Sequence, residues 1–278
     1  MSDFGQFRGF GDKLFEGQLP TQLGMIGSET FGYDEDAQAF FDRVTTAGGS
    51  LSLTEKNSVN TLVLDLKSYS LWSKMKAIYP MVGASAAACS QNLKSSSFTG
   101  TFSSGWTFAS TGVKPNGTSA YMTTGCFANN FSANNQHLSN YSRQLTNTGI
   151  TQLGFVSYDS GKFNYVMFQH NTNQRYAAVQ GTDTIMTTNN DAGYGLTISN
   201  RRNSSVIQRY LRNTKFEISS TFGGVGTQEI YMSAIQGVST YSVCEIAFGS
   251  LGDGLTDTEA SDLYTAVQTF QTTLSRQV

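Results

Sequence analysis

Two histidines, three prolines and three cysteines are all that 278 residues contain of these types. His137 and His170 stand in no H-E-x-x-H spacing and beside no G-x-S-x-G turn, which leaves a histidine metal centre or a Ser-His-Asp machine little to build on. Both histidines are therefore expected in structural or surface roles. Cys89, Cys126 and Cys244 are widely spaced and odd in number, which argues against a disulfide framework and a C-x-x-C metal site. Free, mostly buried thiols are the expectation. Charge is scarce too: 14% of residues are Asp, Glu, Lys or Arg and the net charge is -2, so nothing attracts a phosphate backbone and nucleic acid is not an expected partner. No window approaches the roughly 18–20 apolar residues of a membrane span, and the opening MSDFGQFRGFGDKLF has no continuous apolar core of the kind a signal peptide needs. Neither membrane insertion nor export by a cleaved signal is expected, and no cofactor or metal.

What the chain has instead is Ser, Thr, Asn and Gln for its surface and 12% aromatic residues for its interior. Such a balance suits proteins that work outside the cytoplasm or inside assemblies. Residues 1–33 are Gly-rich, with Phe4, Phe7, Phe10 and Phe15 spread through them, a pattern too broken for a helix and too aromatic for a solvated tail. It reads as an arm, packed on its own domain or anchoring the chain to a neighbouring subunit. Residues 34–75 read as a helical region. DEDAQAFFDRVTTAGG offers acids at its start, an apolar stripe at Ala37, Phe40, Phe41 and Val44, and Gly48–Gly49 as a stop; the next segment sets Ser52 and Glu55 at capping-box spacing ahead of Val59, Leu62, Val63 and Leu66. Packing or trimer-type association is its expected use.

From about residue 76 the period changes to two. KAIYPMVG carries Pro80 and suggests an edge strand, and GWTFASTGVKPNGTSAYMTTG reads as strand, Pro-Asn-Gly turn, strand, with Trp106 and Phe108 facing the core. Further strands are predicted at 149–158, 164–171, 177–180, 195–199, 205–211, 215–219, 229–235 and 242–248, an even spacing that favours a sandwich or barrel over βαβ units. The last segment, 256–277, has Thr256 as N-cap with Glu259 three residues on. Ala260, Leu263, Val267, Phe270 and Leu274 follow on one stripe, which closes over the sandwich or meets symmetry mates.

Little chemistry emerges. A glycosidase needs two carboxylates flanking a bond, whereas Glu217, Glu229 and Glu245 stand singly among apolar neighbours, so a catalytic role is not expected. TTNNDAGYG is read as a plain turn before a Ca²⁺ loop. Arg201, Arg202, Arg209, Arg212 and Lys215 are read as a solvated sheet edge protected by charge, or a contact to an acidic subunit.

LWSKMKAIYPMVG, HLSNYSR and, above all, IAFGSLGDGLTDTEASDLYTAVQTFQTTLSRQV make the chain resemble tailed-bacteriophage virion proteins, those of crAss-like phages among them, that carry a laminin-G or concanavalin A-like domain. The resemblance runs over about residues 37–278. It implies an antiparallel jelly-roll sandwich over 76–278, closed by the C-terminal helix. It also implies a structural role in the virion as head fibre, capsid decoration or tail appendage, held to other virion proteins by the arm, with a homotrimer as the expected assembly. VIQRYLRNTKFEIS resembles a lectin-type hairpin in which Gly usually stands where Thr214 is, which leaves the turn geometry open. The alternative is an adhesin gripping host-surface glycans, with Tyr194, Tyr158, Asn190 and Asp191 as candidate contacts; a glycan depolymerase ranks below it.

Overall fold

The computed structural model describes residues 32–143, 152–159, 161–170, 174–181, 185–188, 194–237 and 240–278. Phe4, Phe7, Phe10, Phe15, Asn190 and Asp191 lie outside them. In chain order the elements are α1 (Glu35–Thr46), α2 (Leu53–Ser68), β1 (Met75–Tyr79), the single turn α3 (Ala86–Cys89), β2 (Thr101–Phe102), β3 (Trp106–Ala109), β4 (Gly112–Pro115), β5 (Met122–Phe127), β6 (Gln136–Ser142) and β7 (Gln152–Asp159). There follow β8 (Lys162–His170), β9 (Gln174–Gly181), β10 (Ile185–Thr188), β11 (Gly195–Arg201), β12 (Val206–Leu211), β13 (Thr214–Ser219), β14 (Glu229–Met232), β15 (Ile246–Gly252) and α4 (Asp257–Thr273).

The strands make the expected antiparallel sandwich. The first sheet runs β13-β12-β11-β6-β15-β4-β3, with β1 also paired to β15; the second runs β10-β9-β8-β7-β14-β5-β2. Helices from both ends of the described chain form a third layer on the outer face of the first sheet. Asp34 caps α1 by accepting the Asp36 N–H, and Ser52–Glu55 and Thr256–Glu259 form capping boxes, as their spacing predicts. The predicted stripes of α1, α2 and α4 meet Tyr141, Leu196, Ile198, Tyr210, Ala247 and Phe248 of the sheet in one core. Full burial of a side chain such as Leu62 or Leu263 contributes roughly 1.5–3 kcal/mol, so this layer is held mainly by the stripes and only trimmed by its caps. The α4 stripe is thus covered within its own chain.

Between the sheets lies a second core of Tyr79, Met122, Phe155, Val166, Ile230, Met232, Ile246 and Leu251, among others. Trp106 and Phe108 pack against its edge with Phe102, as expected. The reversal that serves them differs from the expectation. Ala109 pairs with Gly112, so the hairpin turn is at Ser110–Thr111, and Pro115-Asn116-Gly117 closes β4 and opens the crossing to β5 in the second sheet instead of making a hairpin. Gly112 takes φ 142° with its Cα under the Ile246 carbonyl, where a Cβ would stand 2.5 Å from that oxygen. That close approach fixes the hairpin one turn earlier than Pro-Asn-Gly suggests.

The arginine expectation also needs correction. Arg201 and Arg209 are buried, at 0% and 1% exposure, and do not belong to a solvated edge. In β11 the residues alternate as anticipated, but Leu196 and Ile198 face the helices while Thr197, Ser199 and Arg201 turn inward between the sheets. Arg201 Nε donates to the Val179 carbonyl at 2.6 Å and Nη2 to Ser220 Oγ at 3.1 Å, tying the two sheets together. Asn140 Oδ1 accepts the Phe155 N–H at 2.7 Å and Ser199 Oγ donates to the Tyr165 carbonyl at 2.9 Å across the same gap. Directional bonds of this kind fix how one sheet sits on the other, which apolar contact alone does not. Arg202 and Lys215 are exposed, in keeping with the surface reading.

The hairpin left open by Thr214 resolves simply. Arg212 and Asn213 both take left-handed backbone (φ 46° and 67°) between the paired Leu211 and Thr214, a two-residue type I′ turn. Thr214 is already in β13, where no glycine is needed.

Candidate functional site

The helices cover one outer face of the sandwich; the other belongs to the second sheet. Registers place Thr123, Tyr231, Val156, Tyr165 and Ala178 in one row across β5, β14, β7, β8 and β9. Val156, Tyr165 and Ala178 are buried there with Leu153, against Phe163 and Ile235. At the β7–β8 end of the face Tyr158 is 40% exposed and stacks on Phe163, centroids 5.0 Å apart. Toward β5 the rings of Tyr121 and Tyr231 lie nearly parallel, 5.3 Å apart and inclined by 9°.

The Tyr121–Tyr231 pair is held from behind. Trp106 Nε1 donates to the Tyr121 carbonyl at 3.1 Å, Ser103 N–H donates to the same oxygen at 2.9 Å, and Tyr121 N–H returns a bond to Ser103 Oγ at 2.9 Å. Tyr231 is fixed between β5 and β7. Together with Ala234, Ile235, Gln236, Gly237 and Tyr241 the two rings line a depression of about 260 Å³. The Gln236 side-chain oxygen is buried at its wall, and no group among the described residues bonds it. Burial, then the neighbouring Glu229 and Tyr121, raises the Tyr231 hydroxyl above its usual range, so it stays protonated at neutral pH and can donate. The wall therefore offers aromatic ring surface with tyrosine hydroxyls, a composition that suits a polyhydroxylated ring stacked on tyrosine.

Of the candidate contacts, Tyr158 sits on this face. Tyr194 does not: it precedes β11 at the opposite end of the sandwich, under the Arg212 guanidinium, 4.5 Å from its ring centroid. The structure does not bring Tyr158 and Tyr194 together. Tyr231 and Tyr241, which line the depression, were missed as ligand-facing candidates, although EIYM shows the period-two signal. Which of the strand's two faces is open depends on the helical layer.

The strand acids remain apart: Glu217 pairs with Lys215 at 2.9 Å, Glu229 accepts the Gly125 N–H at 2.6 Å, and Glu245 meets Arg143 at 3.3 Å. Among the described residues no three His, Cys, Asp or Glu side chains gather as a metal site. The three cysteines are free and buried, with the Cys89 and Cys126 thiols pushed up to about 12 by burial. His137 is wholly buried. No described helix is long and apolar enough to cross a membrane.

No family model matches the sequence, and neither does any curated protein. Solved structures do share its fold. Trypanosoma rangeli sialidase in complex with sialic acid aligns with TM-score 0.51 at 10% identity over 76% of this chain and 39% of the sialidase. The botulinum neurotoxin serotype D binding domain aligns with TM-score 0.49 at 9% identity over 70% of this chain and 52% of that one. Domain 4 of an extracellular arabinanase from Geobacillus stearothermophilus, in complex with arabinotriose, aligns with TM-score 0.49 at 15% identity over 69% of this chain and 98% of the domain. The match spans well under two thirds of the sialidase and toxin chains, and what it establishes for this chain is the antiparallel sandwich.

Proposed function

We propose that the chain is a non-catalytic glycan-binding sandwich that holds a sugar ring on the tyrosine-lined face of its second sheet. The observation that carries this reading is the parallel Tyr121–Tyr231 pair lining one depression. Stacking on an aromatic face and hydrogen bonding at its rim are complementary demands of a pyranose. The test is a glycan array followed by calorimetry on the best hit, with sialylated glycans included because one fold neighbour was solved with sialic acid. Tyr231→Ala is expected to weaken binding about 10- to 30-fold, as loss of one stacked ring costs on the order of 1.5–2 kcal/mol, while Tyr231→Phe keeps most of it. Tyr194→Ala, beside β11 of the first sheet, leaves affinity unchanged. Unaltered affinity in Tyr231→Ala, or loss in Tyr194→Ala, overturns the assignment.

The second part of the proposal is location. The sequence resemblance to tailed-phage virion proteins supports an adhesive appendage or decoration subunit whose residues 1–33 attach it to the particle. Mass spectrometry of purified virions is expected to find the chain, and a form starting at Asp34 is expected to be absent from particles. Normal incorporation of that shorter form refutes the anchoring role.

A further inference from the structure

We infer that two copies of this chain associate about a two-fold axis by pairing their β13 strands edge to edge, joining the two first sheets into one. Among the described residues five strands pair on one side only, and β13, with six residues, is longer than β1, β3, β10 or β2, which have five, four, four and two. Native edges are ordinarily blunted by a bulge, a proline, a cover or charged side chains. β13 has no bulge, proline or cover among the described residues: its register with β12 runs unbroken from Leu211↔Thr214 to Val206↔Ser219, and five of its six residues are exposed, Ile218 by 38%. Its charges, Lys215 and Glu217, are of opposite sign and two residues apart, so they guard the edge against a like-charged strand but match a second copy set antiparallel.

The hairpin dictates which backbone groups are on offer. The two-residue turn makes Leu211↔Thr214 a hydrogen-bonded pair, so Thr214, Phe216 and Ile218 bond back to β12 and the N–H and C=O of Lys215, Glu217 and Ser219 point outward. A symmetric antiparallel pair using those groups can be centred on residue 215, 216 or 217. Centring on 215 sets Lys215 against its own copy, and centring on 217 sets Glu217 against its own copy; both oppose like charges. Centring on Phe216 sets Lys215 of each chain against Glu217 of the other, twice. Opposite charges facing across a strand pair stabilise it and like charges destabilise it, so charge selects the 216-centred register. Within one chain these side chains are occupied only by exposed pairs, Lys215–Glu217 at 2.9 Å and Lys215–Asp257 at 3.0 Å, which contribute little and yield to new partners. The area one strand pair buries is small, so the dimer is expected to form in the micromolar range or weaker. A two-fold pairing is a different assembly from the trimer that the sequence resemblance implies.

Sedimentation velocity on the full chain across a wide concentration range is expected to show a monomer–dimer equilibrium. Glu217→Lys should weaken it by about tenfold or more, and the swap Lys215→Glu/Glu217→Lys should restore it, because the swap rebuilds both cross-strand pairs. Register is read separately. Phe216→Cys is expected to form a disulfide dimer under mild oxidation, since non-hydrogen-bonded antiparallel partners have Cα atoms about 4.5 Å apart. Thr214→Cys stays monomeric, its copy lying about 14 Å away along the strand. A chain that is monomeric at every concentration, a concentration-independent trimer, a swap that fails to restore association, or equal crosslinking of both cysteine variants overturns the inference.

Discussion

Replacing Arg276 by alanine is expected to lower the stability of the unit Tyr33–Val278 by about 3–5 kcal/mol. The side chain is 1% exposed, and among the described residues no carboxylate is in salt-bridge contact with it. Its direct partners are oxygen dipoles: Nη1 donates to the Met81 carbonyl at 2.7 Å, Nη2 to the carbonyls of Pro80 and Ala247 at 3.1 and 3.0 Å, and Nε to Gln271 Oε1 at 2.9 Å, with the Phe270 ring 5.2 Å from the guanidinium and Glu55 and Glu245 adding longer-range support. Burial pulls its pKa down to about 10, and it remains charged at neutral pH. Truncation leaves three buried oxygens, those of Pro80, Met81 and the Gln271 side chain, without this donor, while the Ala247 carbonyl keeps its bond from Gln271 Nε2 at 3.2 Å; each unmet group of this kind costs about 1–3 kcal/mol before relaxation. Urea titration of wild type and variant measures the loss; for a unit of this size it corresponds to a fall in Tm of roughly 10–15 °C. Arg276→Lys is expected to recover only part of the stability, because one ammonium cannot fork to carbonyls on both the β1 exit and β15. A loss under about 1 kcal/mol for Arg276→Ala would mean that water reaches these carbonyls and that the C-terminal segment is not clamped as described.

Arg276 also shows where the sequence stops being legible. In SRQV it stands after the last helical turn, the usual place for a cation favoured by the helix dipole, and nothing local announces that the chain folds it back under Pro80 and Met81. The helices were readable because caps and 3.6-residue stripes are local: every residue predicted for the α1 stripe and for the α2 stripe is buried. The sandwich was readable because turns and alternation are local as well. What alternation does not carry is a direction. β11 alternates polar and apolar residues like a half-exposed strand, yet it is buried on both faces, since helices cover one side and the second sheet covers the other, and β6 beside it (QHLSNYS), which carries no such alternation and was not predicted as a strand, is buried throughout as well. Ser, Asn and Arg side chains that read as solvent-facing became inter-sheet hydrogen bonds. The candidate site was hidden for the same reason. EIYM alternates as a core strand does, and with the helices layered on the other sheet it is Tyr231, and not Ile230, that stays half-buried beside the depression.

Between pH 6.5 and pH 4 the protein is expected to lose about 3 kcal/mol of stability through one residue, His137. Its ring lies under the helical layer with no exposed surface, Nδ1 2.6 Å from the Asp253 carbonyl and Nε2 3.1 Å from Ser250 Oγ, which in turn is 2.7 Å from Ser139 Oγ. The carbonyl only accepts, so Nδ1 carries the proton, Ser250 donates to Nε2, and Ser139 donates to Ser250. A second proton on the ring would turn Ser250 from donor to acceptor and place a full charge in a wholly buried site. Burial, opposed mainly by the Asp253 bond, therefore lowers the pKa from 6.5 to about 4. The folded value lies below the unfolded one, so the unfolded chain takes up the proton first as pH falls. The contribution is complete above pH 6.5 and is withdrawn at up to about 1.4 kcal/mol per pH unit until pH 4, where the folded state protonates too. Carboxylates held low in the fold, Asp257 by Tyr210 and Lys215 among them, add their own loss only as pH approaches the unfolded Asp and Glu values near 4. The window above pH 4.5 thus isolates the imidazole. Urea titrations at half-unit steps should show wild type falling steeply there, and His137→Gln, less stable at pH 7, falling much less, so that the two curves converge near pH 4.5. Parallel curves would show that His137 gains its second proton in the folded state as easily as in water, and that the Ser139–Ser250–His137 chain is open to solvent.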